Sequence, residues 1–131
     1  MVEIKEFLPI HLEKLIEMHA KQKSPTTSFI TLDTLPKIGF IVCNEKEYVA
    51  AGFLRRLEGG FGQLDTFVTN PESSPKDRND ALNLLAERLI NEAKALELRG
   101  IYAISSDVSV VCRAVATGFR LLDKVIVGLN L

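Results

Sequence analysis

The sequence predicts a single α/β domain over residues 1–131, with a mixed, mostly antiparallel sheet flanked by helices on both faces. Three observations predict it. Between Phe61 and Gly100 an apolar strand, a polar turn and one long amphipathic helix follow in succession. From Lys37 to Thr69 three strand-like runs are separated only by short polar or glycine turns, the pattern of an antiparallel meander. At both ends of the chain, strand patterns alternate with helical ones.

Val2, Ile4 and Phe7 alternate with Glu3, Lys5 and Glu6, which suits a short half-buried strand, and Leu8-Pro9 turns the chain. From Ile10, the apolar positions Leu12, Leu15, Ile16, Met18 and Ala20 predict a helix to about Lys23. Ser24 to Ser28 is a hydroxyl-rich breaker cluster, and residues 30–35 suit a short helical turn before Pro36. Residues 37–43 and 48–54 are apolar strands joined by the polar turn Asn44 to Glu47. Gly59-Gly60 tolerates positive φ and turns the chain into the Phe61 strand, whose Phe67, Val68 and β-branched threonines favour an extended segment ending at Asn70-Pro71.

The long helix has the clearest boundary signals. Leu82, Leu85, Ala86, Leu89, Ala93 and Leu96 recur at three- and four-residue steps, with Asp80, Asn83, Glu87, Asn91 and Lys94 on the other side. Ser74 suits the N-cap, Pro75 the first helical position and Asp77 the capping-box position, while Gly100 after Arg99 suits the far end. From 75 to 99 such a helix would run roughly 35 Å and lie along the sheet. Residues 101–105 then read as a short strand, Asp107 as a cap for a helix over 108–117, and Leu121 to Leu129 as a final strand.

Composition excludes several function classes. Apolar residues make up 47% of the chain, enough for a core without disulfides or metal. A formal net charge of −1 with interspersed signs gives no general attraction to nucleic acid or an anionic membrane. No signal pattern opens the chain and no apolar run approaches about 18 residues, so the expected setting is soluble and cytoplasmic. Cys43 and Cys112 make neither a metal cluster nor a disulfide framework and read as reduced core residues, Cys112 on the buried side of its helix. His11 and His19 are eight residues apart, not the i, i+4 of a helical metal pair, and read as packing or surface histidines; no metal is expected.

The order β-α-(α)-β-β-β-α-β-α-β resembles the GCN5-related N-acetyltransferase (GNAT) family over nearly the whole chain. Asp65-Thr-Phe-Val-Thr-Asn-Pro71 is similar to the family's fourth strand and its Val-Thr-His-Pro-type exit. Ala81-Leu-Asn-Leu-Leu85 is similar to the start of its coenzyme-binding helix, and Ala116-Thr-Gly-Phe119 to the Lys-x-Gly-Phe that closes its last helix. The resemblance implies the acyl-CoA N-acyltransferase fold and transfer of an acyl group from acetyl-CoA to an amine. It implies that Val68 and Thr69 align the pantetheine by their backbone groups. It also implies that a loop with the pattern Arg/Gln-x-x-Gly-x-Gly/Ala holds the pyrophosphate on free amides. Carried onto this chain, Lys76 takes the Arg/Gln position, Asn79 the first Gly and Ala81 the last; Lys76 and Arg78 offset Asp77 and Asp80, so the loop is nearly neutral.

Asp65 on the fourth strand is the carboxylate that would take the proton from the acceptor amine; its other reading is an exposed strand residue paired with a neighbouring arginine. Where the family has a tyrosine general acid, four residues before Gly118, this chain has Ala114. These departures carry a second reading, a catalytically inactive GNAT-like structural or interaction module such as a phage or virion component. In that case side chains fill the coenzyme gap, or a protein partner or second copy covers a surface such as the final strand.

Overall fold

The computed structural model describes residues 1–22, 30–105, 108–129 and 131. The apolar runs pair in chain order into one sheet: β1 (Glu3–Glu6), β2 (Ile38–Cys43), β3 (Tyr48–Leu57), β4 (Phe61–Thr69) and β5 (Gly100–Ala103). Short turns make β2, β3 and β4 antiparallel neighbours, β1 pairs antiparallel with β2 across the longer connection through α1, and β5 joins β4 in parallel after the crossover through a helix.

Strand alternation sends neighbouring residues to opposite faces, and each face has its helix. Phe40, Val42 and Leu54 pack against Ala81, Leu85, Leu89 and Ala93 of α2 (Pro75–Ala95). On the other face Ile41, Ala51, Phe53 and Val68 pack against Leu15 and Met18 of α1 (Leu12–Lys21). A single 3₁₀ turn, Pro9–His11, leads into α1. Phe7 meets Phe53 edge-on at 4.9 Å between ring centroids and closes this second core at its end.

Ser74 caps α2 through the Asp77 N–H, and Pro75 occupies the first helical position. The far end comes earlier than Gly100 implies. Glu97 takes φ +58°, the Glu97 and Leu98 amides donate to the Lys94 and Ala93 carbonyls, and this six-residue closure ends the helix at Ala95. Gly100 instead opens β5, where a Cβ would lie 3.2 Å from the Phe61 ring. Residues 31–35 form one turn in which the Thr34 and Leu35 amides share the Thr31 carbonyl. The Ser24 to Ser28 cluster and Asp107 lie outside the described residues.

The C-terminal expectations need correction. α3 (Val108–Thr117) forms and closes at Gly118, whose φ is +112°, but none of its described residues is buried. Residues 121–129 form no strand and are exposed throughout. A strand needs an edge to pair with, and apolar alternation alone does not bring the segment to one. Cys112 is accordingly exposed and Cys43 only half-buried, so neither thiol is a core residue.

Candidate active site

β4 is irregular at its centre, and the irregularity shapes the site. Two steps along β3, from Ala51 to Phe53, match three along β4, from Val68 to Asp65, so β4 bulges by one residue. Thr66 sits in the bulge at φ +53°, an uncommon conformation for a β-branched residue. The bulge brings Phe67 over Gly52, where an added Cβ would lie 2.9 Å from the ring. β5 pairs only with Phe61 to Leu64. From Asp65 to Thr69, therefore, β4 has β3 on one side and no strand on the other among the described residues.

The loop that leaves β4 is tied down by buried polar groups. Asn70 and Ser73 are about 5% exposed, and each donates to Oε2 of Glu47 in the β2–β3 turn, Asn70 at 3.1 Å. Asn70 also donates to the Tyr48 carbonyl and receives the Glu72 amide on its Oδ1. Asn44 adds a second tie, donating to Asp77 Oδ2 at 3.0 Å while its own Oδ1 accepts the Lys46 and Glu47 amides. Asn70-Pro71 was legible as a strand exit, but Glu47 binds Asn70 across 23 residues and Asn44 binds Asp77 across 33, and neither tie leaves a local signal.

The Ser74 cap takes one first-turn donor of α2. Pro75 has no N–H, the Asp77 N–H goes to the Ser74 hydroxyl, and the Arg78 N–H goes to the Ser74 carbonyl. Lys76, Arg78, Asn79 and Ala81 lie in the first two turns of this helix rather than in a loop. Lys76 is exposed and pairs with Asp80 at 2.7 Å, the hydrogen bond that pushes its pKa up. Arg78 donates to the Pro71 carbonyl at 3.3 Å. Ala81 is fully buried against the sheet, in the core formed with Leu85 and Leu89.

Asn79 points away to α3. The guanidinium of Arg113 donates to Asn79 Oδ1 at 2.9 Å and to Asn83 Oδ1 at 3.0 Å, joining α3 to the N-terminal half of α2. Ala114 lies half-buried beside it. Neither tyrosine stands there: Tyr48 meets the His11 ring at 5.6 Å, and Tyr102 meets Phe61 at 5.5 Å.

Asp65 lies on the α1 side of the sheet, its carboxylate bound on both oxygens. Arg55 Nε donates to Oδ2 at 2.7 Å and the Thr66 hydroxyl to Oδ1 at 2.9 Å, while Arg55 also reaches the Thr34 carbonyl. The structure thus keeps Asp65, Val68 and Thr69 on one strand and sets the α2 N-terminus beyond its end. No group of three or more metal-binding side chains occurs among the described residues.

No family model and no curated protein sequence matches the chain. Solved structures do. An acetyltransferase of the GNAT family from Staphylococcus aureus superposes with a TM-score of 0.74 at 21% identity, over 95% of this chain and 87% of that one. The chain has the GNAT fold. A predicted acetyltransferase from Clostridium acetobutylicum, solved with acetyl-CoA, matches at TM-score 0.72 and 18% identity, over 99% of this chain and 96% of that one. A transcriptional regulator from Bacillus halodurans matches the GNAT fold of this chain equally well, with TM-score 0.74, 15% identity and full coverage of both. The paired β1 to β5 with α1 and α2 on opposite faces is the part of the GNAT fold that the sequence predicted.

Proposed function

We propose that this chain is an N-acetyltransferase that moves an acetyl group from acetyl-CoA to an amine by direct attack. The observation that carries the reading is the flank of β4 from Asp65 to Thr69 that pairs with no strand among the described residues, with the N-terminus of α2 beyond its end. Main-chain groups along an unpaired strand flank can receive an extended amide-bearing chain such as pantetheine as if it were one more strand. Neighbours of the same fold solved with CoA or acetyl-CoA, among them a Mycobacterium tuberculosis protein and the Clostridium protein, support it.

Acetyl-CoA would supply a thioester carbonyl. The amine nitrogen attacks that carbon, the C–S bond breaks, and the thiolate leaves with a proton while the amine loses one. Val68 and Thr69 would align the pantetheine by their backbone groups. Lys76 and Arg78, the two cations at the start of α2, would hold the phosphates; Asn79 is engaged by Arg113 and Ala81 is buried, so neither takes part. Asp65 would accept the amine proton through a remaining lone pair or a water, since Arg55 and Thr66 already occupy both its oxygens. With no tyrosine near Ala114, a water or the acceptor itself would protonate the thiolate. The enzyme would work in the cytoplasm.

The second reading, an inactive interaction module of a phage particle or another assembly, draws on the Ser74 cap and the Arg113 bridge. Calorimetric titration with acetyl-CoA separates the two. The enzyme reading expects micromolar binding that Lys76→Glu with Arg78→Glu weakens about tenfold or more, the loss of about 1.5–3 kcal/mol in charge-assisted hydrogen bonds. It also expects amine-dependent release of free thiol. An absence of binding heat and of thermal stabilisation near millimolar ligand would sink the enzyme reading.

A further inference from the structure

Among the described residues the buried polar side chains are His11, Asn70 and Ser73, and the last two lie together in the short loop between β4 and α2. A buried amide or hydroxyl is costly unless it is bonded, and both donate to one oxygen, Oε2 of Glu47 in the β2–β3 turn. The same turn sends out a second arm. Asn44 Nδ2 reaches Asp77 Oδ2 at 3.0 Å, while the Asn44 amide donates to the Glu47 carbonyl at 2.9 Å and its Oδ1 accepts the Lys46 and Glu47 amides. One turn therefore grips the chain on both sides of Ser74-Pro75, the residues that open α2.

Neither neighbouring element needs these ties in order to form. Asn70-Pro71 ends the strand and Ser74-Pro75 starts the helix by local rules. What the ties supply is position. None of residues 74–80 is buried, and the first α2 side chain in the core is Ala81. Apolar packing thus holds the helix from Ala81 onward, and the turn before it, which carries Lys76 and Arg78, depends on polar side chains that reach it from elsewhere. Other contacts at this end, Lys21 with Glu72, Arg78 with the Pro71 carbonyl and Arg113 with Asn79, are exposed to water and hold weakly.

We propose that Glu47 is a positioning residue for acetyl-CoA, a role that rests on the N-acetyltransferase reading. Its carboxylate touches no reacting atom. Acting through Asn70 and Ser73, it holds the first turn of α2, with the Lys76 and Arg78 cations, in place beyond Thr69 before the coenzyme arrives, and Asn44 steadies the same turn through Asp77. Ordering that would otherwise accompany binding is thereby completed on folding, which is how preorganisation raises affinity. The phosphates of the coenzyme lie far from its thioester, so the brace acts on coenzyme binding rather than on the chemical step.

Calorimetry and steady-state kinetics on Glu47→Ala, Glu47→Gln and Asn44→Asp test it. Neither residue belongs to a core cluster, so each variant keeps the native circular dichroism. Glu47→Ala should weaken acetyl-CoA binding and raise its KM by about tenfold, with kcat within about twofold. Glutamine keeps an oxygen that accepts from Asn70 and Ser73, so Glu47→Gln should recover all but about threefold. Asn44→Asp keeps the oxygen that accepts the turn amides but sets a second carboxylate against Asp77, and should act in the same direction as Glu47→Ala. Amide exchange in Glu47→Ala should quicken over residues 72–78 and stay unchanged in α1. Leu89→Ala, a core truncation, is the control and should lower stability without moving KM. A wild-type chain that fails to bind acetyl-CoA overturns the N-acetyltransferase reading and this role together. A wild type that binds, with Glu47→Ala binding as tightly, overturns this role alone. So does a Glu47→Gln as weak as Glu47→Ala, or a KM that rises as much in Leu89→Ala.

Discussion

Phe40-Ile41-Val42 and Val125-Ile126-Val127 are close to the same text in chemical terms, yet the first trio is at most 5% exposed and the second at least 66%. β2 lies between two paired strands and is covered by α2 on one face and α1 on the other. The second trio follows α3, which reaches α2 through Arg113 and buries none of its own described side chains. Apolar sequence states a demand for partners, and topology supplies them within the chain only in the first case.

Truncation inside the two regions tests that contrast most strongly. Phe53→Ala removes a buried ring that packs on Phe7, and should cost about 3–5 kcal/mol in urea denaturation. Val127→Ala, measured at low concentration, should stay within about 0.5 kcal/mol, as an exposed substitution does. Equal costs would erase the distinction.

Glycine substitutions sharpen the same point at smaller scale. Gly52→Ala places a methyl group against the Phe67 ring, which the bulge at Thr66 holds there, and should cost about 1–3 kcal/mol. An alanine at Gly128 meets nothing within 4 Å and should change stability by no more than about 0.5 kcal/mol. Thermal melts of the two variants side by side would show it.

His11 gives the folded core a pH signature. It is 8% exposed, packs beside Phe7 and Tyr48, and accepts the Leu8 amide on Nδ1. Burial, and then the charge of Lys5, pushes its pKa below the ordinary value of 6.5. The unfolded chain therefore takes up a proton that the folded one resists. Stability is complete above pH 6.5, falls as pH drops below it, and levels off only once pH passes the folded value. His11→Gln should flatten that limb of a stability-against-pH curve, and an unchanged slope would assign it to other groups.

The smallest effect is a gain. Glu97 holds a left-handed conformation at the end of α2, and Glu97→Gly relieves it, raising stability by about 0.5–1 kcal/mol in chemical denaturation.

Local rules account for much of the architecture. Gly59-Gly60, at φ +82° and +81°, turn β3 into β4 because only glycine takes that geometry freely, and Ser74-Pro75 starts α2 because both residues are preorganised for a helix N-terminus. The meander, the long helix and both covered faces were legible in this way, and so was the resemblance to the GNAT fold that the solved structures bear out. The site was less legible. Asp65, Val68 and Thr69 stand together because they are neighbours on β4, whereas reading Lys76 to Ala81 as a phosphate loop conflicts with the Ser74 cap, which starts the helix before them. The Glu47 and Asn44 ties and the Arg113 bridge join residues 23 to 34 positions apart, so no periodicity or short motif records them.

Spacing within about ten residues was enough for the meander, the Gly59-Gly60 turn, the long helix with its N-cap and the two covered faces, but not for the far end of α2 or the state of residues 121–129. Only the tertiary structure decided that Ala81 faces core, that Asp65 is held by Arg55, and that residues 121–129 stay outside the sheet. The reason is that a side chain's partner is chosen by the packing of whole elements, and an apolar run becomes core only where another surface meets it.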